Sequence, residues 1–287
     1  MVRAQPLTNR GVLLSTLATS LLAASEAADG GESAFHAPTV ADFFPPVIFF
    51  DGTPFEINRI ILVRFLAAAV VITLFLVAAY RAKVVPGRFQ NAIEMILDFV
   101  RRGIAVEVLG EKNGAKYFPL LATIFCTVLF MNLTGVVPFL NIAASSTIGL
   151  PLVLAAWVYV MYLTAGIKAQ GLGGFLTSSL FPPGVPKFLY LLLTPIEFLQ
   201  VFVLRPATLA IRLLANMVAG HLMLAICFAA TQFFIFNADG AMKLFGAGTL
   251  VAGLAFTLFE VFVAALQAYI FAILTAAYIS MSVEAEH

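Results

Sequence analysis

Five polar side chains stand inside two long apolar runs in the last third of the chain, and their types could move protons. The first run holds Arg212, Asn216 and His221, and the second holds Glu260 and Gln267. Imidazole and carboxylate groups exchange protons near neutral pH, and chains of them inside membranes mark proton relays. Arginine stays charged in proteins, so it cannot carry the proton, but it attracts a carboxylate and favours its ionised form. The residue types therefore indicate a proton path with a fixed positive charge beside it.

The spacing of these residues fits an antiparallel helical hairpin. Arg212 with Gln267, and His221 with Glu260, are both centred on the segment 237–241, NADGA, which has the composition of a turn. We therefore expect these residues to lie at equal depths in pairs. On the second arm the two polar residues are seven positions apart and share a helix face, and Asn216 lies one turn from Arg212 on the first arm.

Composition places the chain in a membrane. Of 287 residues, 62% are hydrophobic and 11% are charged, with a mean hydropathy of +1.02, whereas soluble domains have about 25% charged residues. The net charge of +1 says nothing about nucleic acid, but no basic cluster with interleaved aromatics appears, so no nucleic-acid partner is expected. No sequence pattern indicates a metal, a cofactor or a catalytic centre of the soluble type. Cys126 and Cys227 are expected to be unreactive thiols, with a bridge as the alternative.

The apolar runs predict an all-α integral membrane protein with an amphipathic helix over about 87–110. Its five membrane-embedded helices are expected at about 58–80, 117–140, 146–167, 188–236 and 245–281. A Gly- and Pro-rich loop is expected over 168–187. Residues 58–287 would form a single membrane domain, preceded by 1–30, a possible signal peptide or exported N-terminus, and by 31–57, a segment on the outer face.

Charge distribution predicts the orientation. Seven of the 16 basic residues lie between Arg81 and Lys116, so this segment is expected in the cytoplasm, with the N-terminus outside and the C-terminus inside. The amphipathic helix within it would lie on the membrane surface, or form a solvated linker; its apolar face comprises Phe89, Ile93, Ile96, Val100 and Ile104. At the outer end of the first span, Arg59 and Arg64 would extend to the headgroups.

The last two helices are longer than a bilayer needs. Pro206–Phe236 would extend about 46 Å and Phe245–Met281 about 55 Å, against a hydrocarbon core of about 30 Å. We expect both to lie obliquely, with projection from the membrane as the alternative. Pro195 and Pro206 are expected to interrupt the first arm, with Pro206 in the first turn of the segment that carries Arg212.

Two residues leave alternatives open at this point. Arg212 could form a static ion pair with Glu197, Asp239 or Glu260, or it could meet a carboxylate of another protein, which we favour. Asn132, in the second span, could make a hydrogen bond between helices or line an aqueous path.

Two separated motifs resemble the ATP synthase subunit a family. Residues 204–222, LRPATLAIRLLANMVAGHL, match the pattern RPxxLxxRLxxNxxAGH, and 260–278, EVFVAALQAYIFAILTAAY, is similar to the last helix of that family. The segments KVVPGRFQ and FVRRG are similar to bacterial, especially actinobacterial, members. The resemblance extends from the first span to the C-terminus.

The resemblance implies that Arg212 is the stator arginine that faces the carboxylate of the rotating c-ring. It implies that the outer half-channel is lined by Asn216, His221, Glu260 and Gln267. Some bacterial members exchange the acid and the histidine between the two helices. Asn132, Glu197 and Tyr278 are further candidates for channel lining; the route of the cytoplasmic half-channel is not traced.

The function implied is that of a non-catalytic stator subunit with two offset half-channels, coupling proton flow to ring rotation and ATP synthesis. Its expected partners are the c-ring, the peripheral-stalk subunit b, the rest of the F-type ATP synthase and the lipid bilayer of a bacterial plasma membrane. The rival interpretations are a secondary transporter that binds an anion at Arg212, for which no internal repeat is found, and a structural membrane anchor.

Overall fold

Long apolar segments become helices because, in lipid, their backbone groups can bond only to each other. The structure is a computed structural model that describes residues 38–39, 47–49, 57–137, 144–181, 186–237 and 240–283. Its α-helices, in chain order, are α1 Arg59–Tyr80, α2 Arg88–Val100, α3 Glu107–Leu133, α4 Gly149–Leu180, α5 Tyr190–Leu199, α6 Arg205–Phe236 and α7 Lys243–Val283. Within these residues, the only strands are the antiparallel pair β1 Val47–Phe49 and β2 Ile57–Asn58.

The predicted all-α membrane architecture is confirmed. Five helical stretches of the described residues are long and apolar enough to cross a membrane: Arg59–Tyr80, Arg88–Leu133, Gly149–Leu180, Tyr190–Phe236 and Gly240–Val283. The possible signal peptide over 1–30 lies outside the described residues. Cys126 and Cys227 are both free thiols, as predicted.

The predicted amphipathic helix over 87–110 is helical almost throughout. After α2, a π-helical segment, Arg101–Val106, leads into the start of α3. The helix breaks at Gly110, whose φ of 73° lies in the left-handed region that favours glycine. On the apolar face, Ile93, Val100 and Ile104 are buried, while Phe89 and Ile96 are exposed.

The loop predicted over 168–187 is wrong for most of its length, because α4 continues to Leu180. Only Gly171 leaves helical geometry, with φ at 74° and ψ at 164°. Two contacts attach this end of α4 to the rest of the protein. Phe175 is buried against Gly166, where a Cβ would approach its ring to 2.5 Å. Gln170 donates a hydrogen bond to the carbonyl of Ser282 at 2.9 Å.

The interruption predicted at Pro195 and Pro206 is wrong, because the first arm of the C-terminal pair of helices stays helical through both prolines. A π-helical segment, Gln200–Leu204, joins α5 to α6. Because Pro206 has no N–H to donate to the preceding turn, a widened turn at this point accommodates it. Pro206 thus lies in the first turn of the helix that carries Arg212, as predicted.

The chain divides into two packing units. One contains Ala225–Ala252, where Thr231 donates a hydrogen bond to Thr249 at 2.9 Å. The other comprises Thr39–Leu224 and Gly253–His287 and contains all the candidate site residues named above except Asp239. Within this second unit, α6 and α7 run antiparallel, as their side-chain pairs below establish.

Candidate functional site

A histidine and a carboxylate form the buried centre of the site. His221 on α6 and Glu260 on α7 are 5% and 4% exposed, and His221 Nδ1 lies 3.2 Å from Glu260 Oε1. This is the pairing that the hairpin register predicted. Two groups that can each hold a proton therefore share one hydrogen bond in an apolar setting.

Gly220 lets the carboxylate lie this close to α6. A Cβ at this position would be 3.0 Å from Glu260 Oε1 and 3.3 Å from its carboxyl carbon. Sequence reasoning missed this role. The available signal was a glycine inside a long helix, which costs about 1 kcal/mol relative to alanine and so suggests a close approach.

Gln267 pairs with an amide rather than with the arginine. Asn216 Nδ2 donates to Gln267 Oε1 at 2.8 Å, whereas the register had set Arg212 opposite Gln267. At this depth the two arms are thus offset by about one helical turn from the predicted pairing, so that Asn216, one turn from Arg212 on α6, meets the buried Gln267. Two neutral amides thus match donor to acceptor beside the His221–Glu260 pair.

A cavity of about 300 Å³ brings these groups together. Its polar lining residues are Asn132, Asn216, Glu260 and Gln267, and the rest of the lining is mostly apolar. Within the described residues, Glu260 Oε2 and Gln267 Nε2 are buried without a hydrogen-bond partner. A cavity of this size has room for several waters, and polar atoms of this kind would bind them.

Asn132 bonds to a loop and also lines the cavity. It is 1% exposed and accepts a hydrogen bond from the Ser145 hydroxyl at 2.7 Å, which joins the end of α3 to the segment before α4.

Arg212 is exposed on the surface of the chain. Among the described residues it makes no hydrogen bond or ion pair, and neither Glu197 nor Glu260 contacts it in this way; Asp239 lies outside those residues. The neighbouring Ile211 is exposed as well, and the exposed positions one turn to either side carry the polar but uncharged Thr208 and Asn216. A cation on an apolar membrane helix costs several kcal/mol without a partner. The static-pair alternative therefore has no support within the described part of the chain.

The two remaining candidates lie apart from the cavity, since neither is among its lining residues. Glu197 is half-buried on α5. Tyr278 is half-buried on α7, and the Arg205 guanidinium lies 5.3 Å from the centre of its ring, in cation–π geometry.

Comparison with known proteins decides the family. The family model described as ATP synthase A chain matches residues 61–280, which is most of the chain. The chain belongs to the ATP synthase subunit a family. ATP synthase subunit a of Rhodococcus erythropolis is 45% identical over 271 residues, covering 94% of this chain and 96% of that protein. The subunit a of Frankia alni is 40% identical over 256 residues, covering 86% of each chain.

The resemblance predicted from the two C-terminal motifs is thereby confirmed, including its largely actinobacterial character. Membership is not confined to that group, since the subunit a of Gluconobacter oxydans is 39% identical over 238 residues, covering 83% of this chain and 93% of that protein. With its five apolar helical stretches, this member of the subunit a family is a multi-pass membrane protein of a bacterial ATP synthase, in its proton-translocating sector.

Proposed function

We propose that the chain provides the stator side of a proton path that ends on a carboxylate of the rotating c-ring. One observation carries the proposal: Arg212 is exposed and without a partner among the described residues, on the helix that also holds the buried His221–Glu260 pair. The partner that Arg212 requires would then be the acidic group of the ring.

The path begins on the outer side of the membrane. A proton reaches the cavity and is held by Glu260 and His221, which exchange it across their hydrogen bond. The Asn216–Gln267 amides orient water between this pair and the exposed face of α6, where the ring carboxylate takes the proton. Once neutral, that carboxylate can enter lipid, because the cost of burying its charge is removed.

Arg212 separates the two halves of the path. Its fixed charge favours the ionised carboxylate, so a ring site that arrives protonated from the other side releases its proton before it passes. The same charge blocks direct proton flow between the half-channels. The membrane potential supplies about 2.3 kcal/mol per charge per 100 mV to drive the cycle.

We place the cytoplasmic half of the path near Glu197 on α5 and Tyr278 on α7. In this proposal the N-terminus is outside and the C-terminus is cytoplasmic. The stator role further requires contact with the c-ring and with the peripheral-stalk subunit b. Nucleotide chemistry belongs to the soluble subunits of the complex, so the chain itself is non-catalytic.

The test uses vesicles that contain the assembled complex in medium free of sodium. Asn216→Leu keeps the side-chain size but removes the bond to Gln267, so ATP-driven proton pumping is expected to slow roughly 2- to 10-fold, the worth of one hydrogen bond. Thr208→Val is the matched control, because Thr208 is exposed on the same helix and its hydroxyl donates to the backbone carbonyls of Leu204 and Arg205 in the preceding turn. Pumping by Asn216→Leu at the control rate would contradict the proposed path.

A further inference from the structure

Arg64 binds a loop instead of extending to the headgroups. It is half-buried on α1, and its Nε donates to the carbonyl of Ala144 at 2.7 Å. Its Nη2 donates to the carbonyl of Thr147 at 3.3 Å and also to the Thr147 hydroxyl. One guanidinium thus holds both ends of the segment 144–147 against α1.

The same four residues are attached to the end of α3. The backbone N–H of Ala144 donates to the Thr134 hydroxyl at 3.0 Å, and Ser145 donates to Asn132 Oδ1 at 2.7 Å. Ala144 and Ser145 are fully buried. The segment 144–147 is therefore hydrogen-bonded on two sides, to Arg64 and to the end of α3.

This attachment reaches the cavity through Asn132. Because its Oδ1 accepts from Ser145, the orientation of the amide is set, and its nitrogen has no partner among the described residues. Asn132 lines the cavity together with Glu260, whose Oε2 also lacks a partner there. A donor and an acceptor are thus presented to one space, and the donor is oriented by the loop that Arg64 holds.

We propose that Arg64 is a positioning residue for the outer part of the proton path. It clamps the segment 144–147, which keeps Ser145 against Asn132 and so fixes the Asn132 amide in the cavity beside Glu260. The inference rests on the proposed function, since it gives the cavity its role. Arg64 itself contacts neither the cavity nor the proton.

The geometry needs an arginine. A guanidinium is planar, presents five donors and bridges acceptors that are separated in space, whereas the ammonium of lysine is a compact point charge. Arg64→Lys keeps the charge but cannot bond to Ala144 and Thr147 at the same time. We therefore expect this variant to hold the segment 144–147 only in part.

The experiment measures ATP synthesis by vesicles that contain the complete complex, driven at constant membrane potential. The pH is varied on the side opposite to the soluble sector, and the proton concentration at half-maximal rate is determined. Arg64→Gln is expected to lower that concentration roughly 2- to 10-fold, with the maximal rate retained, because an amide donor that is no longer oriented toward the carboxylate stabilises its ionised form less. Arg81→Gln, which removes an exposed charge at the other end of α1, is the control and is expected to cause no shift.

A second variant separates positioning from general stability. Ser145→Ala is expected to give the same shift, and the double variant no further shift, because both changes free the same amide. Equal loss of rate at every pH, or shifts that multiply in the double variant, would overturn the proposal. If the complex with Arg64→Gln does not assemble, Ser145→Ala and Arg64→Lys are measured instead. An unshifted proton dependence in both of these variants would overturn the proposal.

Glu260→Gln in the same assay distinguishes this inference from the proposed function. If Glu260→Gln lowers synthesis while the Arg64 and Ser145 variants leave the proton dependence unchanged, only the clamp is refuted. If Glu260→Gln has no effect either, the path itself is refuted.

Discussion

Arg212→Ala is expected to abolish ATP-driven proton pumping by vesicles that contain the assembled complex, and to raise their passive proton leak. Without the fixed charge, a ring carboxylate that arrives protonated has no reason to release its proton, and the two halves of the path are no longer separated. Pumping is measured as acidification of the vesicles, and leak is measured as the decay of an imposed pH gradient. The amount of the chain in the purified complex reports assembly.

Arg102→Ala is the matched control for the loss of an arginine. Arg102 is highly exposed and pairs with Asp98 at 2.7 Å, and exposed pairs of this kind contribute about 1 kcal/mol or less. We expect this variant to pump at the wild-type rate. Wild-type pumping by Arg212→Ala as well would mean that the exposed arginine is not the gate.

Glu260→Gln is expected to slow proton pumping by about 100-fold at neutral pH, the lower end of what a positioned proton-transfer group contributes. Glutamine has a similar shape but cannot hold the proton, and His221 loses the carboxyl group it pairs with. The rate of acidification is measured across a range of outer pH. The loss should remain at every pH, because no other described acidic residue lines the cavity.

Two further variants examine this result. Glu94→Gln, on the exposed face of α2 where Glu94 accepts a hydrogen bond from Gln90, is the control and should leave pumping unchanged. The exchange of His221→Glu with Glu260→His keeps one acid and one imidazole at the same place, so it should recover part of the rate. An exchange variant no better than Glu260→Gln alone would contradict a shared proton between the two groups.

The sequence predicted the His221–Glu260 pair because helix periodicity and a recognisable turn determine which residues of two antiparallel arms are level. It could not predict which side chain of α6 meets Gln267, because neighbouring turns of that helix differ in depth by only about 5 Å. The register set Arg212 opposite Gln267, one turn away from Asn216, which makes the contact. Only the packing of the helices distinguishes them.

Glycine misled the sequence argument in one place and was overlooked in another. The glycines after Lys168 predicted a loop, yet of Gly171, Gly173 and Gly174 only the first has a positive φ, and Phe175 and Gln170 attach this part of α4 to the rest of the protein. Gly220 received no role, although it lets Glu260 approach α6. The bonds of Arg64 were equally inaccessible, because they join residues about 80 positions apart.

The most direct test of the central claim is whether the Arg212 face of α6 meets the ring carboxylate. Ala215→Cys introduces a thiol three residues from Arg212 at an exposed position, in a chain whose own Cys126 and Cys227 are replaced by alanine. Val153→Cys, exposed on α4, is the control. With a second cysteine beside the carboxylate of the c subunit, oxidation of the assembled complex should cross-link the ring to position 215 and not to position 153. No cross-link at 215 under conditions where the complex is intact, or equal cross-linking at 153, would contradict the account.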